Sequence, residues 1–340
     1  MRHGYGSKIK KALLVGYFGY GNAGDEETLR CAVGLLSEYG IDSLVAFNPK
    51  GERAELSSIG AEGFNRFSYS EMRRAARECD AVVFAGGSLF QNETSLRSLL
   101  YYSAVTAIAE REKRPIYLLS SGIGEIKGRL GREFTERALS RISFAGMRTD
   151  ADLYEGRRFF TCPSCNMPDM TLIREGVCEK KRDEIAIIPR SDTEGLRRDV
   201  RAIVAEGLTP VIIPFFHGED IGAAYSLGGA LGCEVFVSQN TSDIIGRLSS
   251  CRAVYTERLH GAVFSLIAST PFFVPSGDQK CKRFVREIKK RAEKLNTLSP
   301  ILSRERISEL RRDGEGCDFE SLRRGLRYDI RLSLERVLSV

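Results

Sequence analysis

Short apolar runs alternate with longer segments of helical period along the whole chain. Ala12–Tyr17, Ser43–Phe47, Ala81–Ala85, Pro115–Ser120 and Ile142–Gly146 read as strands, and Glu26–Glu38, Ser70–Glu78, Ser95–Arg111 and Glu133–Arg141 as the helices between them. The strands are apolar nearly throughout, as expected when both faces of a sheet are covered. Strands alternating with helices at this spacing predict βαβ units and a mainly parallel sheet. A polar stretch, Arg174–Glu184, interrupts the pattern and reads as a linker. The alternation then resumes with strands at Ile185–Pro189, Pro210–Pro214, Glu234–Val237, Ala253–Thr256 and Phe272–Val274. The expectation is two Rossmann-like α/β domains, residues 1–175 and 184–315, with a cleft between them as the default site.

Residues 316–340 read as a C-terminal helix docked on the body. Phe319, Leu322, Leu326, Ile330, Leu334 and Val337 recur at intervals of three and four, while Arg323, Arg324, Arg327, Arg331 and Arg336 fall on the other face. An apolar stripe of this kind usually faces a core, which leaves the arginines solvated. A basic amphipathic helix at an anionic membrane surface is the alternative.

Length changes this picture little, because 340 residues suit two domains. The net charge of +6 is mild and spread through the sequence. It does not argue for nucleic acid but suits an anionic small molecule. Nine cysteines without regular spacing argue against a disulfide framework and for a reducing compartment. The basic start, Met1–Lys11, leads into too short an apolar run for a signal peptide, and no stretch approaches the ~20 apolar residues of a membrane span. The expected location is cytoplasmic, with peripheral contact at the inner face of the membrane left open.

The candidate chemistry concentrates at strand ends. Arg258-Leu259-His260-Gly261 stands between a strand-like run and the apolar, helix-like run Ala262–Ser269. A helix start favours an anion, a guanidinium offers a planar fork for phosphate or carboxylate, and imidazole passes protons near neutral pH. A strand-end Arg258 paired with Glu257, beside a His260 that caps the helix, is equally open on the tetrapeptide alone. Arg190 ends the first strand of the second domain, and two arginines at one sheet edge suggest an anionic donor.

Gly16–Glu27 follows the first strand with a glycine-rich turn. Asn22 and Asp25 suit sugar hydroxyls there, with Asp25 a candidate base or simply a helix cap. Gly86–Ser95 combines a glycine turn with Ser88, Gln91, Asn92 and Glu93, a set of groups suited to a polyol. Ser121-Gly-Ile-Gly124 and Arg148 are candidate cleft linings. Cys162-Pro-Ser-Cys165 is a lone CxxC, a redox pair or half of a zinc site, and no second half accompanies it. No metal-ligand cluster is evident.

Taken in order, these segments resemble the polysaccharide pyruvyl transferase family. The resemblance is carried by Gly16-Tyr-Phe-Gly-Tyr-Gly-Asn-Ala-Gly-Asp-Glu26, Gly86-Gly-Ser-Leu-Phe-Gln-Asn92 with Arg97-Ser-Leu-Leu-Tyr-Tyr102, Ser121-Gly-Ile-Gly124, Met147-Arg-Thr-Asp150, Pro168-Asp169, Pro189-Arg190 and Arg258-Leu-His260. It implies a GT-B-like α/β fold, two Rossmann-like domains whose parallel sheets face each other across a cleft. It implies transfer of pyruvate from phosphoenolpyruvate to a saccharide of a cell-surface polymer or its precursor, as a ketal, with release of phosphate. Phosphoenolpyruvate enters as co-substrate, with no further cofactor and no metal. The resemblance places the acceptor on the first domain and the donor on the second.

In this scheme Arg190, Arg258, His260 and Gly261 bind the donor, and His260, Arg258 and Asp25 are catalytic. Asn22, Asp25, Ser88, Gln91, Asn92 and Glu93 bind the acceptor, whose attachment to a lipid is left open. The chain departs from the family pattern at Asn92, where an Asp is usual, at Glu257, where an apolar residue is usual, and at Gly261, where Ala is usual. A glycosyltransferase using a nucleotide sugar in the same frame is the alternative reading.

Overall fold

The computed structural model describes residues 9–51, 54–93, 95–275, 278–303 and 317–339. Most of the basic start, residues 1–8, and the expected boundary at 315–316 lie outside the described residues. The chain divides into two compact units. The first takes in the residues up to Tyr20, Asp25–Met170 and the chain from Tyr328. The second takes in Gly21–Gly24 and Thr171–Arg327.

The first unit holds a seven-stranded parallel sheet of β1 (Lys11–Val15), β2 (Asp42–Phe47), β3 (Glu62–Asn65), β4 (Ala81–Ala85), β5 (Ile116–Ser121), β6 (Phe144–Met147) and β7 (Ser164–Asn166). Their order across the sheet is β3-β2-β1-β4-β5-β6-β7. The helices are α1 (Ala23–Glu38), α2 (Ala54–Ser58), α3 (Tyr69–Glu78), α4 (Leu96–Arg111), α5 (Gly128–Leu139) and α6 (Asp150–Gly156). β1 and β4 are buried almost throughout, which is why they read as continuous apolar runs. The edge strands β3 and β7 were not expected from the sequence. Each has only one fully buried residue, Phe64 and Cys165, so neither carries an apolar run.

The second unit holds β8 (Arg182–Ile188), β9 (Thr209–Ile212), β10 (Glu234–Val235), β11 (Cys251–Thr256) and β12 (Phe272–Phe273) in the order β10-β9-β8-β11-β12, again all parallel. Its helices are α7 (Glu194–Ala205), α8 (Asp220–Leu231), α9 (Thr241–Ser250), α10 (Leu259–Ile267) and α11 (Gln279–Lys294). The expected linker is shorter than the polar stretch that suggested it, since β8 begins at Arg182. The linker is also anchored: the Val177 N–H donates to Ile267 O, and Lys181 Nζ donates to Ser249 O and Thr270 Oγ1.

The last helix, α12 (Phe319–Leu338), belongs to the second unit up to Arg327 and to the first from Tyr328. Leu322, Leu326, Ile330, Leu334 and Val337 are buried as their spacing predicts. The expectation of a wholly solvated arginine face needs correction. Arg323 is buried, with Nη1 donating to Leu266 O and Ser269 Oγ, and Arg327 and Arg331 pair with Glu175 and Glu38. Among the described residues no helix is long and apolar enough to cross a membrane.

Candidate active site

In a parallel sheet, ligands gather beyond the carboxyl ends of the strands, where the winding reverses. In the second sheet that point lies between β8 and β11, the pair that registers Ile188 with Thr256. Two residues further on, the two strands present Arg190 and Arg258. Both backbones therefore start from neighbouring strand ends, as their sequence positions suggested.

The guanidiniums, however, turn to different carboxylates. Arg258 lies against Asp220, with Nε donating to Oδ2 at 3.1 Å and Nη2 donating to Oδ1. Its Nη2 also meets Glu219 Oε2 at 3.3 Å. Asp220 is fully buried and takes the Phe216 N–H at 3.0 Å through Oδ2. Burial pushes the Asp220 carboxyl up, against the pull of Arg258 and the backbone donors. Asp220 thus holds one edge of the guanidinium in a fixed plane and leaves Nη1 on the far side without a protein acceptor among the described residues.

Glu257, the sequence candidate for pairing with Arg258, instead accepts the Arg190 N–H at 2.8 Å, bridging β8 and β11. The Arg190 side chain is exposed and reaches Asp278 at 3.3 Å. Asp220 was not singled out from the sequence. Its signal was the Gly218-Glu219-Asp220 run between β9 and α8, which resembles an ordinary acidic helix start.

Thr256 shapes the turn between β11 and α10. Its Oγ1 accepts the Arg258 N–H at 3.0 Å and donates to Arg258 O at 2.9 Å. A Cβ at Gly261 would overlap that oxygen and press on Ile188, so glycine rather than alanine stands here for packing reasons. His260 is half-buried in the first turn of α10, its ring 6.2 Å from that of Phe264. Within the same unit Gly24 lies so close to the imidazole that a Cβ there would overlap Nδ1 and Cγ. The Ala23 N–H donates to Phe215 O, and the His217 N–H to Gly21 O. Gly21–Gly24 therefore sits on the loop after β9. His217 Nε2 is 3.2 Å from Ser238 O.

In the first sheet the winding reverses between β1 and β4. The loops after these strands are the two glycine motifs. Gly19 and Gly21, like Gly86 and Gly87, adopt positive φ, which explains glycine at these turns. Glu26 folds back to accept the Gly19 and Tyr20 N–H groups, and Asn22 Oδ1 takes the Gly24 N–H at 3.2 Å. Asn22 therefore supplies the cap that Asp25 was a candidate to supply, and α1 starts three residues earlier than the sequence suggested. Asp25 is half-buried in the first turn.

Of the remaining acceptor candidates, Gln91 is buried and its Oε1 accepts the Glu93 N–H. The Asn92 amide is committed at both ends: Nδ2 donates to Lys127 O at 2.8 Å and Oδ1 accepts the Lys127 N–H at 2.6 Å. A carboxylate could accept but not donate, so an amide rather than an acid fits this position. Ser88 Oγ is buried without a partner among the described residues, and Glu93 is exposed.

Two expected cleft linings are not available as such. The Gly122 and Ile123 N–H groups go to Gly87 O and Asp152 Oδ1, and buried Arg148 pairs with buried Asp169 at 3.1 Å. Cys162 and Cys165 are both free thiols, and burial pushes Cys162 up to about 11, away from thiolate character. Among the described residues no group of histidine, cysteine and acid side chains is placed to hold a metal.

The structure is similar to that of the UDP-GlcNAc 2-epimerase from Neisseria meningitidis bound to UDP-GlcNAc, with a TM-score of 0.56 and 11% identity over 97% of this chain and 98% of that one. The UDP-N-acetylglucosamine 2-epimerase from Rickettsia bellii gives 0.56 and 10% over 97% of both chains. The calicheamicin glycosyltransferase CalG4 gives 0.51 and 15% over 98% and 97%. At these identities the likeness is one of fold, GT-B-like α/β. None of the curated proteins matches the sequence. The family model described as polysaccharide pyruvyl transferase matches residues 22–277, most of the chain, from within the first glycine loop through the second glycine loop and the arginine–histidine turn. The chain therefore belongs to the polysaccharide pyruvyl transferase family.

Proposed function

We propose that the protein transfers pyruvate from phosphoenolpyruvate to a saccharide, forming a cyclic ketal and releasing phosphate. The observation that carries this reading is Arg258. Buried Asp220 fixes its guanidinium at the start of α10, on the winding reversal of the second sheet, with Nη1 left to a ligand. Arg258, with Arg190 from the adjoining strand end, offers two cations to a donor that carries both a phosphate and a carboxylate. Gly261 keeps the helix start close to β11, where its N–H groups and dipole favour the leaving phosphate.

Protonated His260 gives its proton to the methylene carbon of the enol, and C2 becomes electrophilic. One sugar hydroxyl attacks C2 and its proton passes to Asp25. A second hydroxyl then displaces phosphate, which leaves with the second proton. Asp25 then gives its proton to solvent and His260 takes one back, so the methyl group gains one hydrogen and phosphate the other, and the sum is donor plus diol giving ketal plus phosphate. Asp25, Ser88 and Glu93 remain the acceptor-side candidates. Asn22, Gln91 and Asn92 use their side chains within the loops and shape that side through the backbone.

Calorimetric titration with phosphoenolpyruvate tests the donor. Saturable binding to the wild type, lost in Arg258→Ala and kept in His260→Ala while phosphate release stops, is the expected result. The nucleotide-sugar reading draws on the fold shared with CalG4. Binding of a nucleotide sugar, with none of phosphoenolpyruvate, would replace the pyruvyl reading by it.

A further inference from the structure

Three arginines are buried among the described residues: Arg66, Arg148 and Arg323. Arg148 meets Asp169 and Arg323 meets Glu320. Arg66, 4% exposed, meets no carboxylate among the described residues. Its Nη1 donates to Gly16 O at 2.8 Å and its Nη2 to Tyr102 Oη at 3.3 Å, while the buried Nε–H has no acceptor among the described residues. The Cζ atom lies 4.4 Å from the ring centre of Tyr101, 5.4 Å from Tyr20, 5.6 Å from Phe67 and 5.7 Å from Tyr102. Tyr101 Oη is likewise buried, feels the Arg66 charge, and has no well-formed hydrogen bond among the described residues.

Aromatic faces offset part of the cost of burying a cation, but a guanidinium without a counter-charge remains expensive. The box thus holds a positive charge, an N–H donor and an O–H donor, all of which one anionic oxygen group would satisfy. Its location is functional. Arg66 follows β3 at the carboxyl edge of the first sheet and binds the carbonyl that opens the glycine loop after β1. Tyr17 and Tyr20 stack at 4.0 Å, and Phe67 and Tyr69 are 62% and 59% exposed. Such rings suit the apolar C–H face of a pyranose.

We propose that Arg66 and Tyr101 form a subsite for the carboxylate or phosphate of an acidic saccharide acceptor, entered past the exposed Phe67 ring. This rests on the pyruvyl-transfer reading and names the class of its acceptor.

The test uses full-length protein carrying Arg258→Ala, which silences the donor site, titrated with glucuronate, glucose 1-phosphate and neutral methyl glucoside. Saturable binding and a raised melting midpoint are expected with glucuronate or glucose 1-phosphate and not with methyl glucoside. Whichever anion acts identifies carboxylate or phosphate. Adding Arg66→Met, or Tyr101→Phe, should weaken that response at least about tenfold. If Arg66→Met does not fold, Tyr101→Phe, which removes a single oxygen, decides. The subsite is overturned if neither anion binds, if the neutral sugar does as well, or if the variants respond unchanged, which would leave the box to an ordered water only. Phosphoenolpyruvate titration of otherwise wild-type Arg66→Met separates the two claims. Normal donor binding, with no anion response in the Arg258→Ala protein that keeps Arg66 and Tyr101, removes the subsite alone, whereas no donor binding even in the wild type removes the pyruvyl reading.

Discussion

At the scale of single residues, Arg258 faces two acids with opposite expected effects. Asp220 is buried and fixed by the Phe216 N–H, whereas the Glu219 side chain is 60% exposed. Asp220→Ala would strand a half-buried guanidinium and is expected to lower unfolding stability by about 3–5 kcal/mol. Glu219→Gln is expected to leave stability within about 0.5 kcal/mol and to tighten phosphoenolpyruvate a few-fold, because an exposed competing carboxylate is worth at most ~1 kcal/mol. Denaturant unfolding and calorimetry on the two variants check both signs. Gly261→Ala should cost about 1–3 kcal/mol through its collision with Thr256. Thr256→Ser, which removes the methyl but keeps the colliding oxygen, should not rescue it, whereas Thr256→Ala should recover part. The histidine of this turn was legible because the chain has only three, and the arginine because it stands beside that histidine at a strand end. Asp220 was not, because a sequence does not show which of several nearby acids is turned inward.

At the scale of elements, α3 and α4 are clasped by Glu112, whose carboxylate takes Arg73 Nε at 2.7 Å and Arg77 Nε at 2.9 Å. These bonds hold Glu112 down at about 2, below its ordinary 4.5. A carboxyl lowered in the folded state stabilises above its unfolded value and loses that contribution as pH falls from about 4.5 through 2. The wild type should therefore lose melting temperature more steeply than Glu112→Gln over that acid range, with the two profiles parallel above it. Helices were read to within a few residues where apolar spacing and a cap coincide, as with Ser68 before α3 and Ser95 before α4. The start of α1 was misplaced because its cap, Asn22, lies inside a loop that reads as binding chemistry. The edge strands β3 and β7 escaped because a strand covered on one side carries no continuous apolar run.

At the scale of the whole molecule, α12 contributes to both units. Leu326 belongs to its second-unit part and Leu334 to its first-unit part, and both are 1% exposed. Leu326→Ala and Leu334→Ala should each cost about 2–5 kcal/mol. Hydrogen exchange is expected to rise in α10, which α12 touches through Arg323, for the first variant, and in α1, which it touches through Arg331 and Glu38, for the second. Exchange rising in the same element for both would show that the division of the helix has no energetic consequence.

By itself the sequence determined the α/β class, the strand–helix alternation in two halves, the apolar stripe of α12 and the order of the family's motifs. All of these follow from local periodicity and from short runs of neighbouring residues at strand ends. Only the tertiary structure decided which acid holds Arg258, that the Asn92 amide is spent on Lys127, and that Arg66 is enclosed by rings from Tyr20 to Tyr102. Such pairings join residues tens of positions apart. Burial selects them from many chemically equivalent candidates, because only in a water-poor interior does the choice of partner carry a large free-energy difference.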